Sequence, residues 1–205
     1  DPAAPSPYTA AAEAAGLPLA HEHDPGHVER DGHAAVDRLA VTKALTAIDP
    51  AHPELATARQ LGIPVEAWQQ VIADVAATRG GRLVAVAGTH GKSTSAGWLM
   101  HVLAEAGRDP SGFVGALLPA ALSGGIPATA RWGDGDTFLV EADEYAGNFA
   151  PYRPSLAVLL NAEWDHPDVF ENEAAVLDAF EACTRAMVAG TDGAPPTLVA
   201  NVGDP

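Results

Sequence analysis

The chain has 205 residues, room for one large domain or two small ones. Eleven Lys and Arg against 27 Asp and Glu leave a formal charge of −16, which repels a phosphate backbone and disfavours general nucleic-acid binding. Hydrophobic residues at 47% and charged residues at 19% can build a core and argue against wholesale disorder, and the single cysteine, Cys183, rules out an internal disulfide framework. No apolar run approaches the roughly 18 residues of a membrane span. Asp1 is not followed by a basic-then-apolar leader, so the expectation is a soluble, cytoplasmic protein.

Residues 1–35 are rich in Pro, Ala, Gly and His, and only residues 8–15, alanine-rich and stopped by Gly16, predict a helix. Residues 39–41 read as a buried strand. Residues 53–61 predict a helix with Leu55, Ala58 and Leu61 on one face and Gly62 as its stop. Residues 63–65 are an extended step, since Pro64 biases Ile63 away from helix. Residues 66–78 predict a helix whose Trp68, Val71, Ile72 and Val75 recur at helical spacing, with Trp68 a core residue. Arg79-Gly80-Gly81 reads as a hinge.

Beyond the hinge, residues 83–87 (LVAVA) form a continuous apolar run, as in a parallel strand covered on both faces. Residues 93–106 predict a helix with Leu99, Val102, Leu103 and Ala106 on one side. Residues 138–140 and 156–160 are two more buried strands. Residues 171–187 predict a helix with Val176, Phe180, Cys183 and Met187 on one stripe, and residues 197–200 begin another strand. Alternating strand and helix predict an α/β fold with a mostly parallel sheet. The sequence starts within what reads as a domain and stops at Pro205, just after a strand, so it has the look of a fragment.

Gly88-Thr89-His90-Gly91-Lys92-Ser93-Thr94 joins strand to helix. Glycines let such a turn aim backbone N–H groups at an anion, and the helix N-terminus adds its dipole. Lys92 can then reach the β- and γ-phosphates and the Ser93 hydroxyl can hold Mg²⁺. The long phosphate-loop pattern needs a glycine where Val86 stands, so only the shorter G-T-x-G-K-[ST] form fits. The chain has two lysines, Lys43 and Lys92, and one of so few inside a glycine loop reads as a fixed counter-charge for phosphate.

Glu141-Ala142-Asp143-Glu144 and Asn161-Ala162-Glu163-Trp164-Asp165-His166 each follow a predicted strand. The C-terminal ends of parallel strands face the crevice where α/β proteins bind ligands, and Mg²⁺ prefers carboxylates beside substrate phosphates. One crevice should therefore collect Lys92, Ser93, Glu141 and His166. His21, His23 and His27 resemble metal-ligand material, but without a carboxylate or cysteine framework they read as a solvated loop. Cys183 reads as packing, and nothing in the sequence places Lys43.

The run VAVAGTHGKST, then EADE, then NAEWDH resembles the Mur ligases, the ATP-dependent amide-forming enzymes of peptidoglycan precursor synthesis. The resemblance is nearest to members that join L-alanine to UDP-N-acetylmuramate. It implies that residues 1–79 are part of a Rossmann-like domain binding the UDP-sugar. Residues 80–205 would be an incomplete central ATP-binding domain of P-loop ATPase type. Carried over by position, it implies ATP phosphates at Gly88, Thr89, His90, Gly91, Lys92, Ser93 and Thr94, with Asn161 ordering that edge. It also implies Ser93 and Glu141 at a first Mg²⁺, His166 at a second, and Lys92, Glu141 and His166 as the catalytic set. In the family the substrate carboxylate attacks the γ-phosphate, and the amine then displaces phosphate from the acyl phosphate.

Members adding later amino acids carry D-H-x-D-x-H-G and a carbamylated lysine. Here His166 is followed by Pro167-Asp168-Val169-Phe170, and no lysine follows Lys92. The alanine-adding and muropeptide-recycling types, which both lack that lysine, therefore remain. A folylpolyglutamate-synthase-like enzyme is disfavoured by the Rossmann-like leader, and a nucleotide-binding module without catalysis is the reading from another class. Small-molecule substrates, no nucleic acid and no membrane are the expected partners.

Overall fold

A computed structural model describes residues 6–203; the chain ends at Asp1 and Pro205 lie outside the described residues. The first elements are a helix α1 (Ala10–Ala14), a two-stranded antiparallel pair β1 (Glu29–Arg30) and β2 (His33–Ala34), strand β3 (Leu39–Val41), helices α2 (Lys43–Ile48) and α3 (Pro53–Gln60), strand β4 (Val65–Ala67) and helix α4 (Trp68–Arg79). Strands β3 and β4 pair in parallel. Under them Val28, Ala58 and Ile63 form a small core, joined by Leu39, Leu61 and Val65. Leu55 and Ala58 are fully buried on α3, as their spacing predicts.

The expected 66–78 helix starts two residues later, because Glu66 and Ala67 pair in β4. Its expected stripe is only half-buried, and Gln69 and Ala76 are the buried positions. Helix α4 touches β3 and β4 while its Ile72 and Ala73 pack on the core of the large sheet, so burial is spread around the helix rather than kept to one stripe. Trp68 is half-buried against Phe113, ring centroids 5.0 Å apart, rather than enclosed in a core.

The remaining chain builds strand β5 (Arg82–Ala87), helix α5 (Lys92–Glu105), strands β6 (Ser111–Leu118), β7 (Ala128–Arg131), β8 (Thr137–Ala142) and β9 (Leu156–Leu159), helix α6 (Glu173–Arg185) and strand β10 (Thr197–Ala200). One six-stranded sheet runs β10-β9-β5-β8-β6-β7, parallel throughout except for the β6–β7 edge. The fold is α/β with a mostly parallel sheet. Strands β6 and β7 have no counterpart in the sequence expectations. Two glycines interrupt the apolar pattern of β6, and one of them is required by the neighbours. A Cβ on Gly112 would sit 2.3 Å from the Leu139 carbonyl oxygen and 2.6 Å from Met100 Cε.

Period-two alternation splits the sheet into two cores. Val84, Val86 and Leu139 face α5 with Ala96 and Met100. Ala85, Ala87, Val140 and Ala142 face α6 with Val176, Phe180 and Cys183. The α6 stripe matches its spacing, although Met187 lies past the helix end. The α5 stripe does not match. Ala96 and Met100 are buried, Leu99 and Leu103 are partly so, and Val102 is 58% exposed. The buried face of α5 is centred on Ala96 and Met100, and Val102 lies away from it. No helix among the described residues is long and apolar enough to cross a membrane.

Cys183 is buried, and that burial raises its thiol pKa. Because the thiolate is the reactive form, Ellman's reagent is expected to release one thiol per chain in denaturant and essentially none from the folded protein at neutral pH. Rapid release from the folded protein would show that the α6 face opens readily.

Candidate functional site

Strand β5 lies at the centre of the sheet, with β8 on one side and β9 on the other. After β5 the chain crosses by α5 to β6, fills in β8, and then places β9 on the opposite side of β5. The loops leaving β5, β8 and β9 therefore open around one crevice at a topological switch point, where open α/β sheets bind ligands.

The loop after β5 is shaped by its glycines. Gly88 has φ +141°, and a Cβ there would meet Leu160 Cβ at 3.0 Å and the Asn161 backbone at 3.2 Å. Gly91, φ +82°, is the N-cap of α5 and turns the chain into the helix. Asn161 clamps the loop from the end of β9. Its side-chain oxygen accepts from His90 N at 2.8 Å and its amide nitrogen donates to His90 O at 3.1 Å. Buried Thr89 donates through its hydroxyl to Glu163 O at 2.9 Å. His90 and Thr94 are exposed at the mouth.

Lys92 and Ser93, the first residues of α5, meet the acidic end of β8. Lys92 Nζ donates to Glu144 Oε2 at 2.9 Å and to Thr89 O at 3.1 Å, with Asp143 Oδ1 3.8 Å away. The pair is enclosed: the Lys92 side chain is 12% exposed and that of Glu144 1%. Ser93 Oγ donates to Glu141 Oε1 at 2.9 Å, and Gly115 N donates to Glu141 Oε2 at 2.6 Å. Glu141 is two residues beyond Leu139, so strand alternation puts it on the α5 face of the sheet beside Ser93.

His166 comes in from the loop after β9. Its Nε2 lies 3.7 Å from Glu144 Oε1, and its ring packs edge-on against Tyr145 at 5.1 Å. Tyr145 in turn donates through its hydroxyl to Asp168 Oδ2 at 2.8 Å, a bond that pushes the phenol pKa up. His166 has φ +57° and Ala146 φ +49°, left-handed conformations that a residue with a Cβ adopts at a cost of about 1–2 kcal/mol. His166 N donates to Asp165 Oδ1 at 2.7 Å, which helps to hold that conformation. Glu144 Oε1 is buried without a hydrogen-bond partner and faces this space.

The structure therefore brings Lys92, Ser93, Glu141, Asn161 and His166 to one crevice. The sequence reading passed over two groups. Glu144, not Glu141, is the carboxylate on Lys92; the run EADE holds three carboxylates, and only the turn after β8 selects which one the lysine meets. Lys43, whose place the sequence left open, reaches across from the first turn of α2 to donate to Ala146 O at 2.6 Å. Burial lowers its pKa, and nearby Asp143 works against that shift. Both lysines of the chain thus converge on the loop after β8. A cleft of ≈ 500 Å³ continues from Ser93 and Thr94 along α5, past Trp98 and His101, to Leu118.

A family model described as "Mur ligase family, catalytic domain" matches residues 2–79. The UDP-N-acetylmuramate–L-alanine ligase of Frankia casuarinae is 42% identical over 185 residues, which is 90% of this chain and 35% of that protein. The enzyme of the same name from Arthrobacter sp. is 41% identical over 160 residues, 78% of this chain and 32% of that protein. The chain spans about a third of the length of these relatives. Among solved structures, the UDP-N-acetylmuramate-alanine ligase of Thermotoga maritima superposes with a TM-score of 0.75 at 25% identity, covering 96% of this chain and 41% of that one. A UDP-N-acetylmuramate:L-alanyl-gamma-D-glutamyl-meso-diaminopimelate ligase from Neisseria meningitidis gives 0.73 at 25% identity, covering 93% and 58%.

Proposed function

We infer that this chain, which belongs to the Mur ligase family, carries the nucleotide-binding part of an ATP-dependent ligase. That ligase joins L-alanine to UDP-N-acetylmuramate in cytoplasmic peptidoglycan precursor synthesis. The observation that carries the reading is the pairing at the start of α5: Lys92 on Glu144 and Ser93 on Glu141, each at 2.9 Å, directly behind a glycine turn. We assign the UDP-sugar to residues 1–79 and ATP to residues 80–205. The 42% identity to an alanine-adding ligase favours L-alanine over the tripeptide of the recycling enzymes.

In this reading the N–H groups of residues 88–94 and the α5 N-terminus cradle the ATP phosphates. Lys92 leaves Glu144 to neutralise charge that builds on the transferring phosphoryl group. Asn161 keeps the loop in shape through its two bonds to His90. The residues also fit Mg²⁺. Neighbouring oxygens around an octahedral ion with bonds of 2.0–2.1 Å are about 2.9 Å apart, the separation of Ser93 Oγ and Glu141 Oε1. The unpartnered Glu144 Oε1 beside His166 offers further donors. Bound there, Mg²⁺ would supply charge neutralisation at the phosphate oxygens.

Calorimetric titration of the chain with ATP is expected to show saturable binding that weakens without Mg²⁺. ADP formation that requires both UDP-N-acetylmuramate and L-alanine identifies the ligase, whereas formation requiring the tripeptide identifies the recycling type. In a form of the protein as long as those relatives, nucleotide binding with no amino-acid-dependent phosphate release points to a binding module. Absence of any nucleotide binding overturns the reading.

A further inference from the structure

A second constellation lies on elements that contribute nothing to the nucleotide crevice. Glu54, in the first turn of α3, is gripped at both carboxylate oxygens. Oε1 lies 2.7 Å from His27 Nδ1 and accepts from Asp24 N at 3.2 Å, while Oε2 lies 3.2 Å from His23 Nδ1. The His23 ring meets the His52 ring edge-on at 4.5 Å. His52, just ahead of α3, is 7% exposed, and its Nδ1 is buried with no hydrogen-bond partner. One ligand atom from each of His23, His52 and Glu54 lies within 4.8 Å of the other two.

Burying a ring nitrogen without a partner is unfavourable, and His52 combines such a nitrogen with a ring atom within 4.8 Å of the ligand atoms of His23 and Glu54. A tetrahedral ion with bonds of about 2.0–2.2 Å holds neighbouring ligand atoms roughly 3.3–3.5 Å apart. His23 Nδ1 and Glu54 Oε2 already stand close to that spacing. We propose that His23, His52 and Glu54 form a binding site for a divalent transition ion of the zinc class. His27 orients the carboxylate through its other oxygen, as partners outside the ligand set do in metal sites, and water completes the ion's coordination. Two imidazoles and one carboxylate select such an ion over Mg²⁺ or Ca²⁺. The bound ion ties the loop around His23 to α3, thirty-one residues along the chain, in a part of the molecule with a small core and short strands.

This site does not depend on the nucleotide reading. Calorimetric titration of the full chain with ZnCl₂ is expected to show one saturable site that excess MgCl₂ does not displace, and ZnCl₂ raises the melting temperature. His23→Ala lowers Zn²⁺ affinity at least about tenfold, while His21→Ala and His33→Ala leave it unchanged. His52→Ala should act like His23→Ala but removes a buried ring and can disturb folding. The His23 side chain is 67% exposed, so its variant keeps the test independent of stability. Undiminished binding by His23→Ala, or no saturable Zn²⁺ binding by the unmodified chain, would reduce the cluster to a hydrogen-bonded clasp and overturn the proposal.

Discussion

Lys92→Ala is expected to abolish measurable MgATP binding by the chain and, in any form of the protein that turns ATP over, to slow turnover by about 10³-fold. The size follows from what replaces the lysine. Glu144 Oε2 sits 2.9 Å from Nζ in a pocket where the carboxylate is 1% exposed. Without Lys92, incoming phosphates meet Glu144, Asp143 and Glu141 with one fewer positive charge to offset them. The same substitution strips a buried carboxylate of its partner, which destabilises by about 3 kcal/mol or more. Loss of binding could then be blamed on the fold. Lys92→Ala combined with Glu144→Gln separates the two effects, because the neutral amide no longer needs a counter-charge. The double variant is expected to melt near the unmodified protein yet still fail to bind MgATP. Recovery of ATP binding along with stability would remove Lys92 from the phosphate site.

Leu139→Ala carries the largest expected effect on stability, about 3 kcal/mol within the 2–5 kcal/mol typical of enclosed leucines. Leu139 is fully buried on β8, between β5 and β6, and packs in the core that contains Met100, Val84 and Val114. Neighbouring strands hold the backbone on both sides, so the cavity cannot collapse and its full cost is felt. Urea unfolding should show a lower midpoint with an unchanged slope. The opposite change at the adjoining position is also unfavourable: Gly112→Ala drives a Cβ against the Leu139 carbonyl and is expected to cost about 1–3 kcal/mol. Because Leu139 and Glu141 share a face of β8, the loosened strand should also weaken Mg²⁺-dependent ATP binding. A Leu139→Ala protein as stable as the original would mean that the α5 side of the sheet is not the packed core described above.

The legible parts were those that local pattern controls. A buried apolar run followed by G-T-H-G-K-S-T predicts strand, anion turn and helix from neighbours within a dozen residues, and β5, the loop and α5 follow that order. The Val176, Phe180 and Cys183 stripe works for the same reason, since α6 packs one face on one sheet. Periodicity failed where a helix touches two partners, as α4 does, or where a strand carries glycine because its neighbour leaves no room, as β6 does at Gly112. The histidines near the N-terminus illustrate the limit from another side. His23 is uninformative in its own segment, and becomes part of a constellation only when folding brings His52 and Glu54 to it.

By itself, then, the sequence determined that this is an acidic α/β chain with a glycine turn between strand and helix, acidic strand ends and a lysine at that turn. Those features reside in composition and in spacings that hold whatever the distant chain does. Only the tertiary structure decided that Lys92 meets Glu144 while Ser93 meets Glu141, that Lys43 spans to Ala146, and that the buried ring of His52 comes beside His23 and Glu54. Each of these pairings joins separate elements, except for the two-residue step from His52 to Glu54. Strand order, helix rotation and the exclusion of water select them from several carboxylates of equal local merit.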